Sequence, residues 1–183
     1  MFSFSLAFAQ SHNGAISLYT DENIGDCDAV SNMFDIVDIN LYYVRGNGPD
    51  LGEAYEFRLM CTSTSITFNQ PTWPPTMQGT LGSLETGISV THNVCIGIGL
   101  DVTWLGTIPV FNVGDGDTFT VKVVEHPEAK CPGDIPCPGI YITECPDPKP
   151  RHKCLGGSFI FNGVCNPAAD SRSWGAIKSL FKE

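Results

Sequence analysis

The sequence predicts an all-β protein: an antiparallel β-sandwich of about eight or nine strands, stapled by disulfides. Three observations predict this fold class. Short stretches in which apolar and polar residues alternate recur at about ten-residue spacing between residues 15 and 161. Turn-forming residues separate these stretches, because the 183 residues include 19 Gly and 13 Pro. The eight cysteines form an even set without a Cys-x-x-Cys pair, which is typical of disulfides and not of structural zinc.

The clearest strands direct one apolar face toward a core. In 54–60, Tyr55, Phe57 and Leu59 alternate with charged residues, and 118–124 shows the same period of two. Both stretches therefore have the pattern of a half-buried strand. The other predicted strands are 15–20, 35–44, 65–68, 87–91, 94–104, 139–143 and 157–161.

Two stretches between the clearest strands contain residues with a special role. Gly97 and Gly99 interrupt 94–104, and glycine within a strand indicates a bulge or a close backbone approach. The prolines of 70–75 cannot donate ladder hydrogen bonds, so this stretch is predicted to be a loop. Trp73 in this loop is a candidate binding residue that stacks on a sugar. The alternative interpretation is a lid over the edge of the sandwich.

The composition changes over 127–154, which contains seven prolines and four cysteines. We expect this segment to wrap an edge of the sandwich, held by local bridges such as Cys131–Cys137 and Cys145–Cys154. An alternative is a zinc site formed by Cys131, Cys137, Cys145, His152 and Cys154. All cysteines are assigned to disulfides, with a connectivity that the spacing does not fix: Cys27, Cys61, Cys95, Cys131, Cys137, Cys145, Cys154 and Cys165.

The chain is predicted to fold as one sandwich domain over 10–165, which includes the Cys- and Pro-rich segment 127–165. Residues 1–9, M-F-S-F-S-L-A-F-A, end in the small-x-small pattern of a signal-peptide cleavage site. They also alternate with a period of two, so they are either a signal-peptide remnant or an N-terminal strand. No apolar run has the length of a membrane span. The leader and the disulfides predict a secreted or cell-surface protein.

Residues 166–183 are interpreted as a linker followed by a short amphipathic helical tail. Trp174, Ile177 and Phe181 lie at i, i+3 and i+7, which places them on one face of a helix. The tail is either a docking or sorting element, with Trp174 as a candidate binding residue, or a last turn of helix packed on its own domain.

Charge and motifs exclude several classes of function. The net charge of −10 argues against nucleic acid, because phosphate binding needs clustered Lys and Arg. No H-E-x-x-H, G-x-S-x-G or phosphate-binding loop occurs, and the four histidines belong to no catalytic motif. We therefore assign no catalytic residue and do not expect an enzyme.

Acidic residues cluster at Asp21, Asp26 and Asp28, where calcium would find several oxygen ligands in one loop. The spacing does not match the EF-hand pattern. Calcium is therefore one interpretation of this loop, and a solvated acidic turn is the other. No other cofactor is predicted.

Three features of the last third of the chain resemble a known group of proteins. They are T-V-K-V-V-E-H at 120–126, the cysteine run that ends at Cys165, and W-G-A-I-K-S-L-F-K at 174–182. The chain resembles short secreted, Cys-rich β-proteins of uncultured bacteria, a group without an established activity. This resemblance implies export and β architecture and assigns no functional residue. The strand layout is also similar to immunoglobulin-like, cohesin-like and carbohydrate-binding sandwiches, which is an analogy of fold alone.

These observations favour a secreted, non-enzymatic structural or surface-assembly subunit, for example of an extracellular filament or matrix. Sandwiches can assemble by adding a strand at an open sheet edge, and 1–9 is a candidate for that strand. The expected partners are further copies of the chain or another surface protein. The alternative function is a carbohydrate- or protein-binding module, with Trp73 and neighbouring loops as contact surface. A secreted hydrolase is the third alternative.

Overall fold

The computed structural model describes residues 14–21, 24–114, 116–131, 135–144 and 151–165, and these form fifteen β-strands and no helix. The all-β prediction is confirmed for this part of the chain, which accordingly contains no helix long and apolar enough to cross a membrane. The predictions for 1–9 and 166–183 lie outside the described residues. The strands are β1 (Ala15–Tyr19), β2 (Asp28–Ala29), β3 (Ile36–Val44), β4 (Ala54–Cys61), β5 (Ile66–Phe68), β6 (Met77–Ser83), β7 (Gly87–His92), β8 (Val102–Asn112), β9 (Phe119–Val124), β10 (Lys130–Cys131), β11 (Ile135–Pro136), β12 (Tyr141–Thr143), β13 (Arg151–Lys153), β14 (Leu155–Gly156) and β15 (Ser158–Phe161).

The strands pair into two sheets that face each other as a sandwich. The first sheet has the order β14-β1-β3-β8-β5. The second has the order β13-β12-β4-β9-β15-β2, with β7 also paired to β4 and β6 paired to β7. Pairing is antiparallel except at β1–β14 and β15–β2, which are parallel. The short strands β10 and β11 form a separate antiparallel pair. The predicted antiparallel sandwich is therefore confirmed, but the described residues form fifteen strands and not the eight or nine predicted, because several strands have only two or three residues.

The core lies between the two sheets and contains the side chains that the period-two pattern predicts. On β4, Tyr55, Phe57 and Leu59 are almost fully buried. They belong to one apolar cluster with residues of β1, β3 and β8 from the opposite sheet. In the same cluster, the ring of Phe119 on β9 lies 4.5 Å from that of Phe161 on β15. Burial of this apolar surface is the main favourable contribution to folding.

The strand predicted over 94–104 is wrong in its bounds. Residues 93–101 form a loop, and β8 follows that loop. The alternation there does not reflect a core face, because the side chain of Ile98 is 59% exposed. Gly97 instead forms a β-bridge with Leu51, and an added Cβ atom would lie 2.8 Å from the Leu51 Cβ. This glycine therefore permits a close backbone approach, as the second interpretation of the pattern predicts.

A β-bulge in β8 presents a backbone carbonyl that accepts a hydrogen bond from the other sheet. Leu105 is an extra residue between the pairs that β3 makes with Trp104 and Gly106. The Tyr55 hydroxyl of the second sheet donates a hydrogen bond of 2.8 Å to the Leu105 carbonyl across the core. Gly106 has φ +155°, and an added Cβ atom would lie 2.7 Å from the Trp73 ring. The bulge thus needs glycine, because the indole of Trp73 lies directly on its backbone.

Several described cysteines are disulfide-bonded, as predicted. Cys27 and Cys165 form a bridge across a sequence separation of 138. Cys95 and Cys137 are disulfide-bonded as well, which removes Cys137 from the alternative zinc site. The Cys131–Cys137 pairing stays a prediction, because the side chain of Cys131 lies outside the part of the chain that the structure describes.

Cys61 and Cys154 are free thiols, so their assignment to disulfides, including the Cys145–Cys154 bridge, is wrong. Cys154 lies in the main core, where it behaves as a small apolar residue. Burial raises the pKa of its thiol to about 12, which keeps it protonated and unreactive at neutral pH. Cys61 packs half-buried against the same core.

The Cys- and Pro-rich segment forms one edge of the second sheet, as predicted. β12 pairs with β4, and β13 pairs with β12 at the end of the sheet order. The Arg151 guanidinium lies 4.1 Å from the ring centre of Tyr141 and also pairs with the Glu56 carboxylate. These contacts hold the edge, and Ile140, Ile142 and Cys154 join it to the main core.

His92 is a buried polar residue at the end of β7, only 3% exposed. Its Nδ1 atom lies 3.0 Å from the Thr76 hydroxyl, and its Nε2 atom has no hydrogen-bond partner among the described residues. Burial lowers the pKa of His92 below its ordinary value of 6.5. The folded protein therefore keeps this imidazole neutral, because protonation would place an unpaired charge beside the Tyr55 ring.

We expect Gly106→Ala to lower the free energy of unfolding by about 1–3 kcal/mol, because a Cβ atom overlaps the Trp73 ring in a left-handed backbone conformation. Urea unfolding measures this change. Gly116→Ala is the control, since nothing lies within 4 Å of a Cβ atom there. Equal loss in the two variants would contradict the role of the bulge.

We expect stability to fall as the pH drops below 6.5, the ordinary pKa of histidine. The unfolded chain then binds a proton at His92 that the folded protein does not, so unfolding is favoured until the lower folded pKa is reached. Thermal unfolding between about pH 7 and pH 5.5 measures the slope. His92→Gln removes this contribution and flattens the slope. The remaining slope includes His126, whose pKa is also lowered by burial. An unchanged slope in His92→Gln would refute the assignment.

Candidate functional site

One end of the sandwich exposes a group of apolar side chains, which we call the apical patch. Its members lie in or beside the loop between β2 and β3 and are between 44% and 77% exposed: Val30, Met33, Phe34, Ile36 and Val113. Ile36 opens β3, where it pairs with Phe111 of β8. Exposed apolar groups that lie together on a soluble protein commonly mark an interaction site.

Phe34 adopts a backbone conformation that its side chain disfavours. Its φ is +67°, in the left-handed region that bulky residues rarely adopt. Its side chain is 68% exposed, so this conformation does not serve core packing. Such residues cost on the order of 1–3 kcal/mol and cluster at functional sites. The loop therefore presents an aromatic ring to solvent at a cost in stability.

Three polar residues, Ser31, Asn112 and Asn162, fix this loop, and we call them the polar clamp. The N–H of Phe34 donates to the Asn112 carbonyl at 2.6 Å, and the Asn112 N–H donates to the Asp35 carbonyl at 3.0 Å. The Asn112 side-chain amide, which is buried, donates to the Ser31 carbonyl at 3.3 Å. Asn162 accepts from the Ser31 N–H and donates to the Ser31 carbonyl, both at 2.8 Å. The clamp thus joins the loop to β8 of the first sheet and to the end of β15 in the second.

The surroundings of the apical patch are acidic. Asp35 and Asp38 stand on either side of Ile36 in the sequence, and the side chain of Asp38 is exposed. No Lys or Arg occurs in residues 1–44 or 59–121, the stretches that supply every residue of the patch. The stretches that form the patch therefore contribute negative charge and no Lys or Arg.

The last described residues are anchored next to the apical patch. The Asp28 carboxylate, two residues before the patch, accepts a hydrogen bond of 2.6 Å from the Cys165 N–H. The disulfide partner of Cys165, Cys27, packs in a second apolar cluster with Tyr42, against which the half-buried Trp104 also lies. Val164 is 84% exposed. The described chain therefore ends at Cys165, where a covalent bridge holds it to the residues that precede the patch in the sequence.

In the acidic loop, for which calcium binding is one interpretation, carboxylates accept hydrogen bonds from backbone N–H groups. Asp21 accepts hydrogen bonds from the N–H groups of Gly25 and Asp26, at 3.1 and 3.4 Å. Asp28 accepts from Cys165. Among the described residues, no three His, Cys, Asp or Glu side chains are placed to hold a metal ion. These bonds are those of a hydrogen-bonded acidic turn, and calcium binding by this loop stays a prediction.

Of the two tryptophans that are candidate binding residues, the structure describes Trp73, which is not part of the apical patch. Trp73 is half-buried, packs against the main core and has its ring 6.4 Å from that of Tyr55. This placement fits a lid over the sandwich better than a platform for sugars. Trp174 lies outside the described residues, so its role stays a prediction.

Sequence reasoning missed the apical patch because most of it lies in a turn. Residues 31–35, S-N-M-F-D, have the Asn and Asp residues of a turn, and Met33 and Phe34 inside it are the available signal. The exposure of these side chains depends on the clamp. Asn112 and Asn162 lie 81 and 131 residues from Ser31, and no local pattern reports such distant contacts.

No protein-family model matches the sequence, and no curated protein does either. Solved structures match the fold. The chain is similar to the cohesin module of a family 33 glycoside hydrolase from Clostridium perfringens, with a TM-score of 0.54 and 7% identity over 82% of this chain and 96% of that chain.

Two further cohesins show the same similarity. The OlpC cohesin of Clostridium thermocellum, solved in a complex with a dockerin, has a TM-score of 0.52 and 10% identity over 82% of this chain and 94% of its own. The seventh type I ScaB cohesin of Pseudobacteroides cellulosolvens has a TM-score of 0.50 and 8% identity over 84% and 94%. At these identities the similarity shows the fold alone, and the predicted cohesin-like sandwich is confirmed.

We expect the paired substitution Cys27→Ser and Cys165→Ser to lower the free energy of unfolding by about 2–4 kcal/mol. The bridge joins residues 138 positions apart, so its loss frees the unfolded chain and releases the end that follows β15. Chemical unfolding under non-reducing conditions measures the change. Cys61→Ser removes a free thiol and no bridge, so a similar loss in this control would contradict the account.

Proposed function

We propose that this chain is a non-catalytic protein-binding module whose contact surface is the apical patch. The observation that carries the proposal is Phe34: an exposed aromatic ring held in an unfavourable backbone conformation by a buried polar clamp. A ring that served only stability would be buried or replaced by a residue that tolerates positive φ. Rigid aromatic side chains at the centre of a contact are typical of residues that dominate binding energy.

The chemistry of the patch favours a protein over a sugar. Its exposed side chains are aliphatic, thioether and aromatic, and Phe34 is the single ring among them. Sugar sites combine aromatic platforms with several polar groups that fix the hydroxyls. Protein interfaces instead bury Phe and Met in an apolar centre within a polar rim, which is the arrangement that Asp35 and Asp38 complete here.

The cohesin-like fold supports the same class of function. The OlpC cohesin is solved with a dockerin bound, so a sandwich of this architecture carries a protein-recognition surface in that protein. For the present chain, the partner is expected to be a protein segment with apolar residues flanked by Lys or Arg. Of the three functions considered from the sequence, the binding module is therefore the one that these observations favour.

The disulfides support a role outside the cytosol. Cys27–Cys165 and the bonded Cys95 and Cys137 would be reduced in a cytosol with an active thiol pool. A secreted or cell-surface module that recruits another protein is consistent with this. No residue is assigned a catalytic role, because the candidate site holds an apolar surface and no constellation of acid, base and nucleophile.

Phe34→Asn tests the proposal, because Asn tolerates positive φ and removes the ring. We expect partner affinity to fall about tenfold or more, the effect of losing a central aromatic contact, while the melting temperature stays equal or rises. The partner is first captured from an extract of the cells that encode the chain, identified by mass spectrometry, purified and titrated by calorimetry.

Leu81→Asn is the matched control, since Leu81 is 78% exposed and lies on β6, outside the patch. It should leave affinity unchanged. A partner that binds the wild type and Phe34→Asn equally well would rule out the apical patch as the binding surface.

A further inference from the structure

We infer that β6 is an open sheet edge at which two copies of this chain pair, β6 against β6, in antiparallel orientation. Among the described strands, β6 pairs with β7 on one side and with none on the other. An edge strand directs alternate N–H and C=O groups away from its neighbour, and these groups can template the addition of another strand. The inference concerns a different surface from the apical patch and goes beyond the proposed function.

The middle of β6 is exposed to solvent. The side chains of Gln78 and Thr80 are exposed, and that of Leu81 is 78% exposed. An added Cβ atom at Gly79 would find its nearest neighbour, the Thr91 hydroxyl oxygen, 3.9 Å away. No described segment therefore covers this part of the strand.

The strands that end the two sheet orders have features that hinder the addition of another strand. β2 and β14 contain two residues each, and β5 contains three. β13 reads R-H-K, so it is both short and basic. Short length and charged side chains are common protections of a sheet edge. In contrast, β6 reads M-Q-G-T-L-G-S and has seven residues, none of them charged and none of them proline.

Two irregularities in β6 define where pairing is possible. The register with β7 shifts between Met77 and Gly79, and Gly82 has φ +89°. Both features bend the strand locally, and bends make an edge less suited to pairing. The stretch between them is centred on Thr80, which is also the midpoint of β6. We therefore place the centre of the contact at Thr80.

A second copy fits this edge better than a partner recognised by charge. An antiparallel pair about a two-fold axis uses the same surface in both molecules. With the axis at Thr80, the exposed Leu81 of each copy lies opposite Gly79 of the other, where no side chain occupies the space. β6 brings no charge into the contact, so the paired strands add no repulsion to that between two chains of net charge −10.

We expect the dimer to be weak. One pair of strands buries less surface than a standard protein interface, so the dissociation constant is expected to be on the order of 10–100 μM. Sedimentation equilibrium of the full chain between about 1 μM and about 1 mM covers this range and measures the constant.

Charges at position 80 test the pairing and its centre. Thr80→Lys places two ammonium groups opposite each other across the axis and should weaken the dimer about tenfold or more. Thr80→Glu should do the same with two carboxylates. An equimolar mixture of the two variants should restore the dimer, because opposite charges then face each other. Thr80 is exposed, so both variants should keep the melting temperature of the wild type.

Asn47→Lys is the matched control. Asn47 is exposed in the turn after β3, on the first sheet, so this variant adds the same charge away from β6. It should leave the dissociation constant unchanged, as should Phe34→Asn, which alters the apical patch.

A wild-type chain that stays monomeric at about 1 mM would overturn the inference. A dimer that Thr80→Lys and Thr80→Glu leave intact would overturn it as well, and so would a mixture that fails to restore the dimer. If Phe34→Asn abolished a dimer that the Thr80 variants retain, self-association would belong to the apical patch and not to β6. The proposed function is tested separately, by the effect of Phe34→Asn on the affinity for the external partner.

Discussion

The polar clamp of Ser31, Asn112 and Asn162 is the interaction on which the loop that carries the apical patch depends. Ser31 and Asn112 are each 1% exposed, so their hydrogen bonds are made away from water. A buried network of this kind is rigid when every member has a partner, and the loss of one member leaves the others unsatisfied. Because Asn112 ends a strand of one sheet and Asn162 follows a strand of the other, the same few bonds align both sheets and shape the loop between β2 and β3.

The loop is also where local preference and overall structure disagree. Phe34 at φ +67° is unfavourable as an isolated residue, and it persists because its N–H and the groups beside it are fixed by the clamp. Proteins break local rules mainly at functional sites, where the cost is offset by stability elsewhere. Here that stability comes from the core around Tyr55 and Phe57 and from the Cys27–Cys165 bridge, which joins residues 138 positions apart.

The end of a sandwich is a place where a proposed binding surface is compatible with the fold. Strands paired in two sheets form a rigid scaffold, and the segments that connect them vary without disturbing the core. A shared fold does not transfer a function, so the assignment rests on the patch itself. Part of the outer face of the first sheet is closed by the cluster of Cys27 and Tyr42, with Trp104 packed against it. The free apolar surface therefore lies beyond that cluster, toward the loop that carries Phe34.

The sequence alone determined the all-β class and the inward face of β4, because side chains in a strand alternate between two faces whatever the strand pairs with. It did not determine whether an alternating stretch packs against the core, since Ile98 follows the alternating pattern and is exposed to solvent. It also did not determine which cysteines form disulfides, since Cys154 is buried as a free thiol. Nor could it reveal the apical patch. The conformation of Phe34 depends on Asn112, whose carbonyl accepts the Phe34 N–H, and on Asn162, which binds Ser31 in the same loop. Only the tertiary structure brings these distant groups together.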